Sequence, residues 1–140
     1  MEVRRALAED ELKDVYKVRR EVFILEQGVP EEIEIDNKEN EAIHFVVYRE
    51  GLPVGAGRLR TEETTAKAER VCILKEARRK GLGSLLMKKM EESAKAEGLT
   101  KFRLNAQLHA EPFYIETGYK TVSEQFYDAD ILHVTMEKDL

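Results

Sequence analysis

The sequence predicts an α/β chain built on a mixed sheet. Three observations carry that prediction. Short runs rich in β-branched and aromatic residues recur along the chain, two longer stretches place apolar residues at helical spacing, and a basic segment with two glycines links a strand-like run to a helix-like one. With 140 residues, 42% hydrophobic and 36% charged, the chain can bury one core but not two, so residues 1–140 read as one domain. No repeat, low-complexity tract or Pro/Gly/Ser-rich linker suggests an internal boundary.

The elements follow in order. "MEVRRAL" opens the chain as a short strand. In residues 8–27, Leu12, Val15, Tyr16, Val18, Val22, Phe23 and Leu25 fall mostly at the spacing of a helix with one buried face, and Gly28 and Pro30 end it. "EEIEIDNKENEA" reads as an acidic surface loop or a short broken helix. "IHFVVYRE" is a buried strand, Glu50-Gly51 a hairpin turn, and "LPVGAGRLRT" the returning strand, where Gly55 and Gly57 mark a bulge or a close backbone approach.

"AKAERVCIL" is a further strand. After the basic loop, Leu82, Leu85, Leu86, Met90 and Ala94 trace one face of a helix that ends at Gly98. "TKFRLNAQL" is a strand, "EPFYIET" a short helix with proline in its first turn, and Gly118 its stop. "YKTVSEQFYDADILHVTMEK" closes the chain as two strands around Asp128 to Asp130. The order is β-α-β-β-β-α-β-α-β-β.

Composition narrows the function classes. A formal net charge of -5 argues against a general attraction to nucleic acid or to anionic membranes, so an anion site must be a local concentration of positive groups. Cys72, the only cysteine, excludes an internal disulfide and a cysteine metal cluster, and fits a reducing compartment. Charged residues follow Met1, and no apolar run approaches the roughly 20 residues that cross a bilayer, so the expectation is a cytoplasmic protein that binds no membrane. His44, His109 and His133 lie apart without an acidic pattern, and no metal is expected.

The segment "VCILKEARRKGLGSLLMKKM" concentrates positive charge where a strand runs through a loop into a helix. Free backbone N–H groups of the loop and helix start converge there, which is how proteins bind phosphate. Gly81 and Gly83 let a pyrophosphate approach the backbone, and Arg78, Arg79 and Lys80 supply charge to its oxygens. The nucleoside-triphosphate loop is excluded because no Gly-Lys-Ser or Gly-Lys-Thr occurs, and the dinucleotide fingerprint wants a third glycine where Leu86 stands.

These residues resemble a known family. "VCILKEARRKGLGSLL" looks like the R/Q-x-x-G-x-G/A acyl-CoA pyrophosphate loop of the GNAT superfamily of N-acetyltransferases, with Arg78, Gly81 and Gly83 on the motif positions. "LNAQLHAEPFYIETGY" resembles the superfamily's last CoA-binding segment through Asn105, Phe113, Tyr114, Gly118 and Tyr119. The stretches "RREVFILEQGVPEEIEID" and "DADILHVTM" look like the small bacterial YjcF/ElaA-like branch, with Leu132 in place of the proline of its I-P-H motif. The resemblance implies a mostly antiparallel central sheet flanked by helices. It also implies acetyl-CoA as co-substrate, its pantetheine on the backbone of Cys72, Ile73 and Leu74, its phosphates on Arg78, Arg79, Lys80, Gly81, Leu82, Gly83 and Ser84, and further contacts at Asn105, Phe113 and Tyr114.

Acetyl transfer to an amine requires a neutral amine, a hydrogen bond to the developing oxyanion and a proton for the departing thiolate. The resemblance puts Tyr114 at the general-acid position and Glu69 where some members hold a base acting through water, although Glu69 could equally pair with Arg70 or Arg58. A backbone N–H at Cys72 or Ile73 suits the oxyanion, and Cys72 itself reads as a small core residue. The acceptor pocket is expected from Phe23, Glu26, Gln27, Asp36 and His133. Its carboxylates, Glu34 among them, suit a cationic amine, whereas Arg19 and Arg20 would suit an amino-sugar phosphate. The expected activity is direct acetyl transfer to a primary amine of a small molecule, without nucleic acid as partner and with terminal strands able to pair across a homodimer. A non-catalytic acyl-CoA-binding or sensing module is the alternative outside enzymes.

Overall fold

Eight strands form one sheet in the computed structural model, which describes residues 1–140. The strands are β1 (Glu2–Arg5), β2 (Ile43–Arg49), β3 (Leu52–Glu62), β4 (Thr65–Ile73), β5 (Lys101–Gln107), β6 (Lys120–Thr121), β7 (Phe126–Asp128) and β8 (Ile131–Asp139). The helices are α1 (Glu9–Arg19), α2 (Glu31–Glu34), α3 (Leu82–Ala96) and α4 (Glu111–Glu116). The order across the sheet is β1-β2-β3-β4-β5-β8-β6, with β7 also paired to β8. Every pairing is antiparallel except β4 with β5. The C-terminal segment holds three strands rather than two, because β6 and β7 pair separately with the long β8.

The two faces of the sheet bury different helices. On one, Leu82, Leu86, Met87, Met90 and Ala94 of α3 and Tyr114 of α4 pack over Phe45, Leu59, Phe102, Leu104, Val134 and Met136. Met87 takes the place expected of Leu85, which is 38% exposed. On the other face, Val15, Val18 and Val22 pack over Val46, Ala56 and Cys72. Each fully buried Val, Leu or Met side chain contributes roughly 1.5–3 kcal/mol. Gly55 and Gly57 lie where neighbours come close: an added Cβ would stand 2.6 Å from Ile73 Cδ1 in the first case and 2.9 Å from Met90 Sδ in the second.

Three departures from regular geometry shape the cleft. The first helix does not stay α-helical to Gln27: from Arg20 to Glu26 it widens into π turns, and the Gln27 N–H donates to the Val22 carbonyl. Such insertions re-aim a helix end. β4 bulges opposite Gly57, with Arg70 at φ +57°. Finally, β4 and β5 pair only from Thr65/Lys101 to Ala68/Leu104 and then part, although β4 runs on to Ile73 and β5 to Gln107.

The acidic segment after α1 takes the short broken helical form, α2 followed by a 3-10 turn at Glu39–Glu41, and Glu34, Asp36 and Glu39 turn from it onto buried arginines. Arg19 is fully buried, its guanidinium shared between Glu34 (2.9 Å) and Glu39 (2.7 Å). Arg58, 1% exposed, forks onto Asp36 at 2.8 Å and reaches Glu39 at 3.0 Å and Glu69 at 2.9 Å. Arg70, redirected by the bulge, meets Glu34 at 2.8 Å. Buried charges persist only when paired, and here arginines clamp residues 34–39 to α1, β3 and β4. No helix is long and apolar enough to cross a membrane.

Candidate active site

Where β4 and β5 part, a cleft of about 850 Å³ opens through the sheet. The Leu74 N–H is bonded to the Val54 carbonyl on β3. Alternation along an extended strand then turns the Cys72 N–H toward β3 and the Ile73 N–H toward the cleft, so of the two expected oxyanion donors Ile73 is the one with a free edge.

The loop into α3 forms the cleft's second feature. Arg79 and Gly81 have φ of +64° and +78°, a conformation available at little strain only to glycine, and the backbone N–H groups of residues 79–84 donate to no acceptor in the chain. Successive N–H groups curled in this way, at the positive end of a 15-residue helix, make a cradle for anions. The donor set fits a diphosphate. Arg79, Gly81, Leu82, Gly83 and Ser84 line the cleft, whereas the Leu74 and Lys80 side chains stand outside it.

Arg78 is engaged at the cleft mouth. Its Nε donates to the Ile73 carbonyl at 2.9 Å, and its two terminal nitrogens fork onto Glu26 at 2.7 and 2.6 Å. These bonds hold the Glu26 carboxyl below the usual carboxylate range. The next residue, Gln27, exchanges two amide hydrogen bonds (3.2 and 2.8 Å) with Gln107 on β5. The re-aimed end of the first helix therefore straps both walls of the cleft.

Tyr114 is 8% exposed and edge-on to Phe113 (5.0 Å) and Tyr119 (5.6 Å). Its hydroxyl lines the cleft without a hydrogen-bond partner, and burial pushes its pKa up to about 12. Burial likewise pushes the Cys72 thiol up to about 12, so it stays protonated at neutral pH. Asn105 accepts a bond from Thr135 at the cleft edge.

The other expected residues divide. Phe23, Glu26, Gln27 and His133 line the cleft. Asp36 does not, because its carboxylate is spent on Arg58. Glu69 lines the cleft but carries Arg58 (2.9 Å) and Arg60 (2.7 Å). Burial raises its pKa, yet the bonds to Arg60 and the Arg58 charge outweigh this and leave it lowered, a weak proton acceptor. Arg19 lies buried in its acid pair and Arg20 bonds Glu31 on the surface, so neither faces the cleft. Gln107 escaped sequence reasoning, although its alternation with Asn105 placed both on one face.

A parted pair of parallel strands, an anion-cradling loop and a buried tyrosine at one cleft can be compared with known proteins. The acetyltransferase (GNAT) domain family matches residues 5–140. The chain belongs to the GNAT acetyltransferase family. It is 50% identical over 132 residues, 94% of each chain, to YjcF of Bacillus subtilis, named as an uncharacterized N-acetyltransferase. Among solved structures, an acyl-CoA N-acyltransferase from Pseudomonas aeruginosa superposes with a TM-score of 0.85 at 29% identity, covering 98% of this chain and 97% of that one. A PaiA N-acetyltransferase from Thermoplasma acidophilum, solved in complex with coenzyme A, shares the GNAT fold at a TM-score of 0.75 and 19% identity over the full length of both chains. This GNAT chain is accordingly an acyltransferase.

Proposed function

We propose that the protein transfers an acetyl group from acetyl-CoA directly to the primary amine of a small molecule. The observation that carries this reading is the alignment, along one cleft, of the free β4 edge, the unpaired N–H groups of residues 79–84 and the partnerless Tyr114 hydroxyl. The loop would hold the diphosphate, and the Val71–Ile73 edge the pantetheine amides. When bound, acetyl-CoA supplies the activated acetyl group. The Ile73 N–H is aimed to stabilise negative charge on a carbonyl oxygen beside it.

Tyr114 acts as a neutral donor. A phenol near pKa 12 giving its proton fully to a thiolate of ordinary pKa, about 8.5, would climb roughly 3.5 pH units, about 5 kcal/mol. Its hydroxyl therefore donates a hydrogen bond to the sulfur as the C–S bond breaks, and the proton follows as far as the sulfur's basicity draws it. The protonated state of Cys72 argues for direct transfer without an acyl-enzyme.

The lining supports an amine on an apolar body over a polycation. Glu26, Glu34 and Glu69 are each neutralised by arginine, while Val22, Phe23, Val29 and Ile33 supply apolar surface from the helix side. The test is acetyl-CoA thiol release against arylalkyl amines, polyamines and amino-sugar phosphates, with the acetylated product identified by mass. The reading expects the arylalkyl amines to turn over fastest. Binding of acetyl-CoA without release for any amine would leave a sensing module, and preference for a sugar phosphate would overturn the acceptor class.

A further inference from the structure

The cleft passes through the sheet, and its two ends carry different chemistry. Phe102, Leu104 and Ala106 of β5 belong to the core under α3 and α4, the side on which Tyr114 lies. Asn105 and Gln107 alternate to the opposite side, where Gln107 meets Gln27 at the end of the first helix. His133 is paired with Gln107 across β5 and β8, and residues paired across antiparallel strands share a face. His133 and Tyr114 thus line one cleft from opposite faces of the sheet.

His133 is held for a particular task. Its Nδ1 lies 2.6 Å from the Ile131 carbonyl, which can only accept, so Nδ1 carries a proton. The neutral ring then presents a lone pair on Nε2, for which the chain supplies no partner. The ring is 8% exposed and stacks on Phe126 at 5.9 Å, which fixes its plane. The carboxylates and the other histidine lining the cleft differ. Glu26 is forked onto Arg78, Glu34 is bonded to Arg19 and Arg70, Glu69 to Arg58 and Arg60, Asp128 is exposed at the β7 turn, and His109 is exposed with Nε2 on Gln107.

We infer that His133 is the catalytic base that takes the proton from the acceptor ammonium. This rests on the reading that the acceptor is an amine. One proton passes from R–NH3⁺ to Nε2 and on to solvent, and the freed nitrogen lone pair forms the C–N bond. The C–S bond breaks with its electron pair on sulfur, and the second proton lost by nitrogen balances the one sulfur gains. Base at one face and acid at the other match the direction of transfer through the sheet.

The test compares wild type, His133→Asn and His109→Asn over a series of primary amines of falling basicity. An asparagine Nδ2 can keep the bond to the Ile131 carbonyl but offers no base. His133→Asn should lower kcat by about 10²-fold or more with alkyl amines that are ammonium ions at the assay pH, the usual reach of general-base catalysis. The deficit should shrink to a few-fold with amines already neutral at that pH, while the acetyl-CoA dissociation constant and thermal midpoint stay unchanged. An equal deficit for all amines, no deficit, or the same pattern in His109→Asn would overturn the assignment. Wild type that acetylates no amine would overturn the amine reading itself, which the variant comparison alone would leave standing.

Discussion

Replacing Arg19 with methionine is expected to destabilise the protein by about 3 kcal/mol. The guanidinium is fully buried and makes six hydrogen bonds of 2.7–3.2 Å to Glu34 and Glu39. Removing one partner of a buried ion pair typically costs about 3–5 kcal/mol, because the remaining charge keeps its desolvation penalty. Here Glu34 retains Arg70 at 2.8 Å and Glu39 retains Arg58 at 3.0 Å, which puts the expectation at the lower end. For a chain of this size that corresponds to a fall in Tm of roughly 10 °C. Urea unfolding followed by circular dichroism should show a lower midpoint with an unchanged slope, and Arg19→Lys, which keeps the charge but not the fork, should fall between. A loss below about 1 kcal/mol for Arg19→Met would refute the view that this arginine clamps residues 34–39.

Three further outcomes are expected. Acid should weaken the fold from about pH 4.5 downward: burial raises the Glu39 pKa, but the hydrogen bonds from Arg19 and the charges of Arg19 and Arg58 outweigh it and hold the group near 2. Its stabilisation is therefore complete above 4.5 and disappears as pH falls through 2, and hydrogen bonds from Arg58 depress Asp36 in the same sense; an unfolding free energy that stays flat between pH 6 and 2.5 would contradict this. Glu26→Gln should tighten acetyl-CoA binding several-fold in calorimetry by releasing the Arg78 fork for phosphate, and weaker binding would mean that the strap, not the free arginine, builds the site. Tyr114→Phe should reduce kcat by ~10-fold or more and leave the acetyl-CoA dissociation constant within about two-fold; an unchanged kcat with a fast acceptor would remove the acid role.

Local pattern made much of this fold legible. Strand and helix periodicity marked the hairpin at Glu50-Gly51, the α3 stripe and the strand–loop–helix joint at residues 71–84, because each is written in nearest-neighbour chemistry. Long-range pairing was not legible. Glu34 and Asp36 read as acidic surface until Arg19, Arg58 and Arg70 arrive from α1, β3 and β4 to bury or bind them, and no local signal announces those partners. For Glu69 the sequence left a base and a partner of Arg58 or Arg70 as alternatives, and the fold pairs it with Arg58 and with Arg60. The π turns at Arg20–Glu26 keep apolar spacing close to that of an α-helix, so the sequence hid the turn that brings Glu26 to Arg78 and Gln27 to Gln107. The tautomer of His133 depends on one backbone carbonyl two residues away, which only the folded hairpin supplies.

The edge of β4 and the loop into α3 are proposed to hold acetyl-CoA. Backbone amide NMR of the uniformly ¹⁵N-labelled protein during an acetyl-CoA titration tests this proposal most directly. Saturable shifts are expected, concentrated at Val71 to Ile73 and at Arg79 to Ser84, with smaller ones at Phe113 and Tyr114. Saturable binding that leaves residues 79–84 unmoved, or no binding at millimolar acetyl-CoA, would contradict it.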